Sequence, residues 1–250
     1  MLRGFLIAGL FTFLAASAGQ VKQNPKDGQP YVWVPAGTFT MGCSQGDTEC
    51  RGEQAPHAVR ISHGFWIGQT EVTVGAYKQF VTATKASMPP DSRWNPGWQD
   101  DHRPIVNLTW DDAAAFCSAA GGRLPSEEEW EYAARAGNKA ARYGTLDAIA
   151  WYADNSERKG ALAVRQKRAN AWGLYDMQGN AWEWTTGLYP LTGRNDGPNL
   201  PANPSEPFWA IRGGSWEDAS RLLRASVRGR ATTSHRSNSI GARCVVESLQ

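Results

Sequence analysis

Past its first twenty residues the sequence lacks any apolar run long enough to cross a bilayer, and it has no block of like charge and no low-complexity tract. The first absence excludes a membrane span in the body of the chain. The second, with a formal net charge of only +2, gives no electrostatic footprint for nucleic acid. Neither G-x-x-x-x-G-K-[ST] nor G-x-G-x-x-G occurs, so no phosphate cradle is encoded. The four cysteines lack the paired C-x-x-C spacing of structural zinc sites. What is abundant is tryptophan, 12 residues, and glycine, 26 residues. That mixture implies a fold held by aromatic clusters and tight turns rather than by long helices and strands.

The N-terminus reads as a secretory signal, residues 1–18. Arg3 provides the positive region, residues 6–14 (LIAGLFTFL) the apolar region, and Ala16-Ser17-Ala18 the small residues of a cleavage site. The alternative is a membrane anchor, for which the apolar run is short against the roughly 20 residues a helical span needs. No membrane association is expected after cleavage, and the destination is periplasmic or secreted. Residues 19–30 read as an N-terminal linker and 31–247 as one domain. Export decides how the cysteines are read, because thiols that leave the cytosol become disulfides. Cys43 and Cys50 bracket a short polar loop and can close a ring. Cys117 and Cys244 would tie the chain end to its middle.

Along the domain, residues 31–41 (YVWVPAGTFTM) read as strand, turn, strand, and residues 58–67 (AVRISHGFWI) as one half-buried strand. Thr73 caps a first helix. Residues 88–103, rich in Pro, Trp and Asp, read as loop. Thr109 or Asp111 caps a second helix that ends at Gly121-Gly122, and Ser126 with Glu129 forms a capping box for a third that runs to Ala136. Arg123 and Arg135, set among Glu127, Glu128, Glu129 and Glu131, are placed to pin that third helix by ion pairs. Regular structure thins out after Gly137. The fold class is α+β with much coil.

Several segments, in order, carry a resemblance: VWVPAGTFTMG, GQTEVTVGAY, VNLTWDDAAAFC, GGRLPSEEEWEYAAR, NAWGLYDMQGNAWEWT, IRGGSW and IGARC. Together they resemble the formylglycine-generating-enzyme, or sulfatase-modifying-factor, family over nearly all of residues 31–246. The resemblance implies a formylglycine-generating-enzyme fold, C-type-lectin-like, with little regular secondary structure. It also implies a structural disulfide between Cys117 and Cys244. A calcium ion is implied at Asp176, Gly179, Ala181 and Glu183, the glycine and alanine through their carbonyls, with Asn155 matching a ligand of a second calcium site. Carboxylates on a tight loop suit calcium, although the same loop could be held by turn hydrogen bonds alone.

Chemistry in this family rests on two cysteines between the GGS segment and the final G-x-R-C, which hold copper as thiolates and oxidise a sulfatase cysteine to formylglycine. Here residues 215–243 contain no cysteine. The pair would fall near Leu222 or Leu223 and near Val227 or Arg228, none of which binds copper, so copper is not expected. An iron-dependent branch of the family needs an H-x-x-x-H-x-E motif, and His57, His63, His102 and His235 do not provide it. Trp182, Arg212, Ser215, Trp216, Glu217, Asp218, Arg228 and Arg230 are candidates to line a peptide-binding cleft, with the tryptophans equally suited to a core. Two functions stay open on this reading. One is an exported binding, regulatory or maturation accessory protein that recognises a peptide or protein, as relatives without the cysteine pair resemble, including accessory proteins of type VI secretion. The other is an oxidoreductase, either formylglycine generation itself or a divergent oxidative maturation such as that of the siderophore pyoverdine. Acids converging in an enclosed pocket at Glu217 and Asp218 would favour the second.

Overall fold

A computed structural model describes residues 17–50, 55–189 and 205–249. The expected signal segment, apart from Ser17 and Ala18, lies outside the described residues.

Three small sheets carry the fold. The first orders β1 (Val21–Gln23), β2 (Pro30–Val34), β5 (Phe65–Gly68) and β10 (Val245–Val246), all antiparallel. The second is the pair β3 (Gly37–Met41) and β4 (His57–Ile61). The third orders β8 (Arg228–Thr232), β7 (Phe208–Arg212), β6 (Trp182–Leu188) and β9 (Ile240–Gly241), with β6 and β9 parallel. Helices α1 (Val74–Thr84), α2 (Trp110–Ala119) and α3 (Glu127–Arg135) pack around them, with a single turn, α4, at Leu146–Ile149.

The helix starts follow from local chemistry. Thr109 accepts from the Asp112 N–H while the Asp112 carboxylate accepts from the Thr109 N–H, and Ser126 and Glu129 do the same for α3. Thr73 caps α1 by accepting from Ala76. Residues 88–103 are loop as expected, apart from a short 3₁₀ turn at Pro96–Trp98 that buries Trp98.

Two segments differ from the sequence reading. Residues 58–67 are two strands in different sheets, separated by a turn at Ser62, His63 and Gly64. A Cβ on Gly64 would stand 2.4 Å from the Trp33 ring, so only glycine lets the chain turn against that indole. The segment 19–30 is no linker: it holds β1, and Asn24, Asp27 and Gln29 are buried. Asp27 accepts from the Tyr31 hydroxyl at 2.7 Å and from the Gln29 N–H at 2.9 Å. Polar residues here satisfy a turn inside the fold, which their composition alone disguised as linker.

Two aromatic-rich clusters form the core. The larger gathers Trp182, Trp184, Trp216, Phe116, Tyr77 and Trp98; the smaller sets Trp130 and Met177 against Val32 and Ile67. Cys117 on α2 is joined to Cys244, closing 127 residues of sequence separation, and Cys43 is joined to Cys50.

Candidate functional site

Helix α3 is bound to the third sheet through buried charge. Its periodicity turns Glu127, Glu131 and Arg135 inward together. Glu131 accepts from Arg135 at 2.8 Å and from Arg212, on β7, at 2.5 Å. Arg228, on β8, donates to Glu127 at 2.6 Å. Arg135 reaches the Ser44 hydroxyl and the Gly42 carbonyl, joining the Cys43–Cys50 loop to the same network. Arg123 pairs with Glu129 at the surface. The ion pairs expected around α3 are therefore present, and Arg212 and Arg228 supply most of their far side.

The candidate cleft residues separate. Trp182, Arg212, Ser215 and Trp216 are buried; they belong to the core, where all their polar side-chain atoms but Arg212 Nε find partners. Asp218 Oδ2 accepts from the Trp182 indole at 2.8 Å, the Ser215 N–H at 2.9 Å and the Ser215 hydroxyl at 2.6 Å. Burial pushes the Asp218 carboxyl up, against the lowering effect of the Ser215 and Trp182 hydrogen bonds. Trp216 donates to the Asn238 carbonyl and meets Trp94 edge-on at 4.6 Å. Glu217 is exposed, so the two acids do not converge. Arg228 and Arg230 are half-buried, with Arg230 lying over Phe208 at 5.0 Å.

Of the positions where the cysteine pair would fall, three are buried and Arg228 is half-buried. Leu222, Leu223 and Val227 are all core residues. Over them lies the Cys43–Cys50 loop, held by Asp47 to Arg224 at 2.9 Å and by Glu49 to Arg142 at 2.7 Å. Arg142 also donates to the carbonyls of Leu223 and Ser220. All four cysteines are in disulfides and no free cysteine remains.

The residues expected to hold calcium sit on one tight loop. Gly179 has φ +83°, and a Cβ there would come 2.3 Å from the Trp151 carbonyl. Glu183, however, spends both carboxylate oxygens on Arg243, at 2.7 and 3.0 Å, and one of them also on the Trp130 indole at 2.6 Å. Asn155 spends its amide on Tyr152 N–H, the Ala150 carbonyl and Asp147. Asp176 accepts from the Arg165 N–H and keeps one buried oxygen without a partner. Among the described residues no group of three or more His, Cys, Asp or Glu side chains could hold a metal ion. Glu183 and Asn155 are thus engaged within the protein, while Asp176 keeps one oxygen open on the same loop.

Glu71 was missed at the sequence level. It is wholly buried, accepts from the Ala181 N–H at 3.2 Å, and lies close enough to Asp176, Glu183 and Arg243 to feel their charges. Burial above all, then the Asp176 charge, pushes its carboxyl well up; burial likewise raises Asp176 to about 6. Its signal was available: Glu71 is the one charged residue in residues 64–77.

Short strands, capped helices and an arginine-rich interior held by tryptophans define the class to which this chain belongs. The family model described as the sulfatase-modifying factor enzyme 1-like domain matches residues 17–248, and the chain is a member of that family. It is 27% identical to the formylglycine-generating enzyme of Streptomyces coelicolor, over 88% of this chain and 90% of that protein. It is 33% identical to the mouse inactive C-alpha-formylglycine-generating enzyme 2, over 56% of this chain and 48% of that protein. The structure of PvdO from Pseudomonas aeruginosa superposes with a TM-score of 0.77 at 27% identity, covering 92% of this chain and 98% of that one. No helix among the described residues is long and apolar enough to cross a membrane.

Proposed function

We propose that this chain is an exported member of the family that has kept the scaffold and not the copper chemistry, and that it recognises a peptide or protein partner outside the cytoplasm. One observation carries the reading. The interval that would present two thiolates is filled by packed leucine and valine under a disulfide-closed loop. Copper(I) selects soft thiolates, and every sulfhydryl of the chain is in a disulfide. Two closed disulfides suit an oxidising compartment. Acids gathered in an enclosed pocket would favour an altered oxidase, whereas Asp218 spends Oδ2 on Trp182 and Ser215 and Glu217 faces solvent.

Copper(I) competition against bathocuproine, with thiols counted by Ellman reagent in denaturant, tests this. The expected outcome is no titratable thiol and complete transfer of copper to the chelator. One equivalent of copper(I) kept by the protein would overturn the proposal.

A further inference from the structure

Among the described strands β4 pairs with β3 alone. In an antiparallel pair alternate residues turn N–H and C=O away from the partner strand. Those outward groups of residues 57–61 meet no other backbone group among the described residues. Most edges in folded proteins are covered or blunted, because an open one is a template for a further strand.

A cavity of about 710 Å³ runs beside this edge. Val59, Arg60 and Ile61 of β4 line it in turn, followed by the turn at Ser62, His63 and Gly64 and by Phe65 at the start of β5. Successive strand side chains point to opposite faces, so a cavity that meets every residue in turn is facing the edge itself. A second cavity of about 350 Å³ shares Phe65, Arg123 and Glu247 with the first and continues to the Gly121-Gly122 turn. The two make one elongated groove, with Ile61 and Phe65 as a buried apolar floor. On its walls Arg123 and Glu129 cancel through a two-point ion pair at 2.6 and 2.7 Å. Glu128 and Glu247, both exposed, then stand against Arg60, so the balance of charge is acidic.

We infer that this groove takes an extended basic segment of a partner polypeptide, added as a strand to β4. The inference rests on the reading of the chain as a polypeptide-binding protein and gives that function a place away from Trp182 and Trp216. Main-chain hydrogen bonds along an edge supply affinity and alternate side chains supply selection. Here apolar side chains of the segment have Ile61 and Phe65 to meet and basic ones have Glu128 and Glu247.

A fluorescein-labelled decapeptide of alternating valine and lysine is the probe, read by anisotropy on the intact mature chain. Saturable binding is expected, with the valine-glutamate peptide failing to bind. Backbone N-methylation of one alternate set of residues should weaken binding at least about tenfold, and methylation of the other set should not, since only one set faces the edge. Reversing both exposed acids, Glu128→Lys with Glu247→Lys, should weaken it by about tenfold, while Glu217→Ala leaves it unchanged. Equal loss from both methylation sets, or indifference to the charge reversals, overturns the groove but leaves the binding function standing. No binding of the valine-lysine peptide overturns it as well. A dimer in sedimentation that dissociates with Arg60→Glu would put a second copy on β4 and also overturn it. Copper(I) retention, by contrast, strikes the functional reading alone.

Discussion

Arg212 has no exposure to solvent, and its charge is held there by Glu131 at 2.5 Å, the Ala225 carbonyl at 2.8 Å and the face of Trp130 at 5.3 Å. Removing one partner of such a pair strands the other in low dielectric, which costs about 3–5 kcal/mol. Arg212→Ala should therefore lower the unfolding free energy measured in urea by that amount, and Glu131→Gln by less, because its amide still accepts a hydrogen bond. Arg212→Ala combined with Glu131→Gln should cost less than the sum of the two single changes, since each single change leaves the other group without its partner. If the double variant is as unstable as the sum of the singles, the pair is not the coupling element. Arg212 was singled out in the sequence for a cleft. Its role as core was hidden because its partners lie 81 and 13 residues away and only the fold brings them together.

Helix starts were legible because the chemistry that makes them is local. Ser126 with Glu129 and Thr109 with Asp112 sit three residues apart, and the structure closes both boxes. Ser126→Ala should cost about 1 kcal/mol in chemical denaturation, and an unchanged midpoint would mean the cap contributes nothing. Strand partners were not legible: β2 and β3 follow one another across a tight turn yet pair in different sheets. Nothing local in residues 31–41 distinguishes that outcome from a hairpin. The disulfides act at the same scale. Breaking Cys117–Cys244 by serine substitution should cost about 2–5 kcal/mol, and breaking Cys43–Cys50 less, because loop-closure entropy grows with the number of residues enclosed. Thermal melts of the two paired variants check the order, and the reverse order would contradict it.

At the scale of the molecule, four buried carboxyls, Asp27, Glu71, Asp176 and Asp218, are all pushed up by burial. A carboxyl with a raised value in the folded state favours folding when protonated. Its contribution is complete below the ordinary aspartate range and is lost as pH rises through the folded value, about 6 for Asp176. Unfolding free energy should therefore climb as pH falls from 8 to 5, by on the order of 2 kcal/mol. Asp176→Asn should flatten the climb; a slope of the opposite sign, or one indifferent to the substitution, would contradict it. The family and the α+β class were legible in ordered segments that span the chain. The site was not, because loss of two thiolates says what is gone, whereas what fills the space depends on the packing of Leu223, Val227 and the Cys43–Cys50 loop.

The most direct measurement is turnover on a cysteine peptide of the sulfatase type with copper(I), a thiol reductant and oxygen, followed by mass spectrometry. Conditions should be those in which the Streptomyces coelicolor relative converts the peptide. The expected result with this chain is a substrate of unchanged mass. Accumulation of the aldehyde product, with more than one equivalent formed per protein, would contradict the loss of thiolate chemistry at the centre of the proposal.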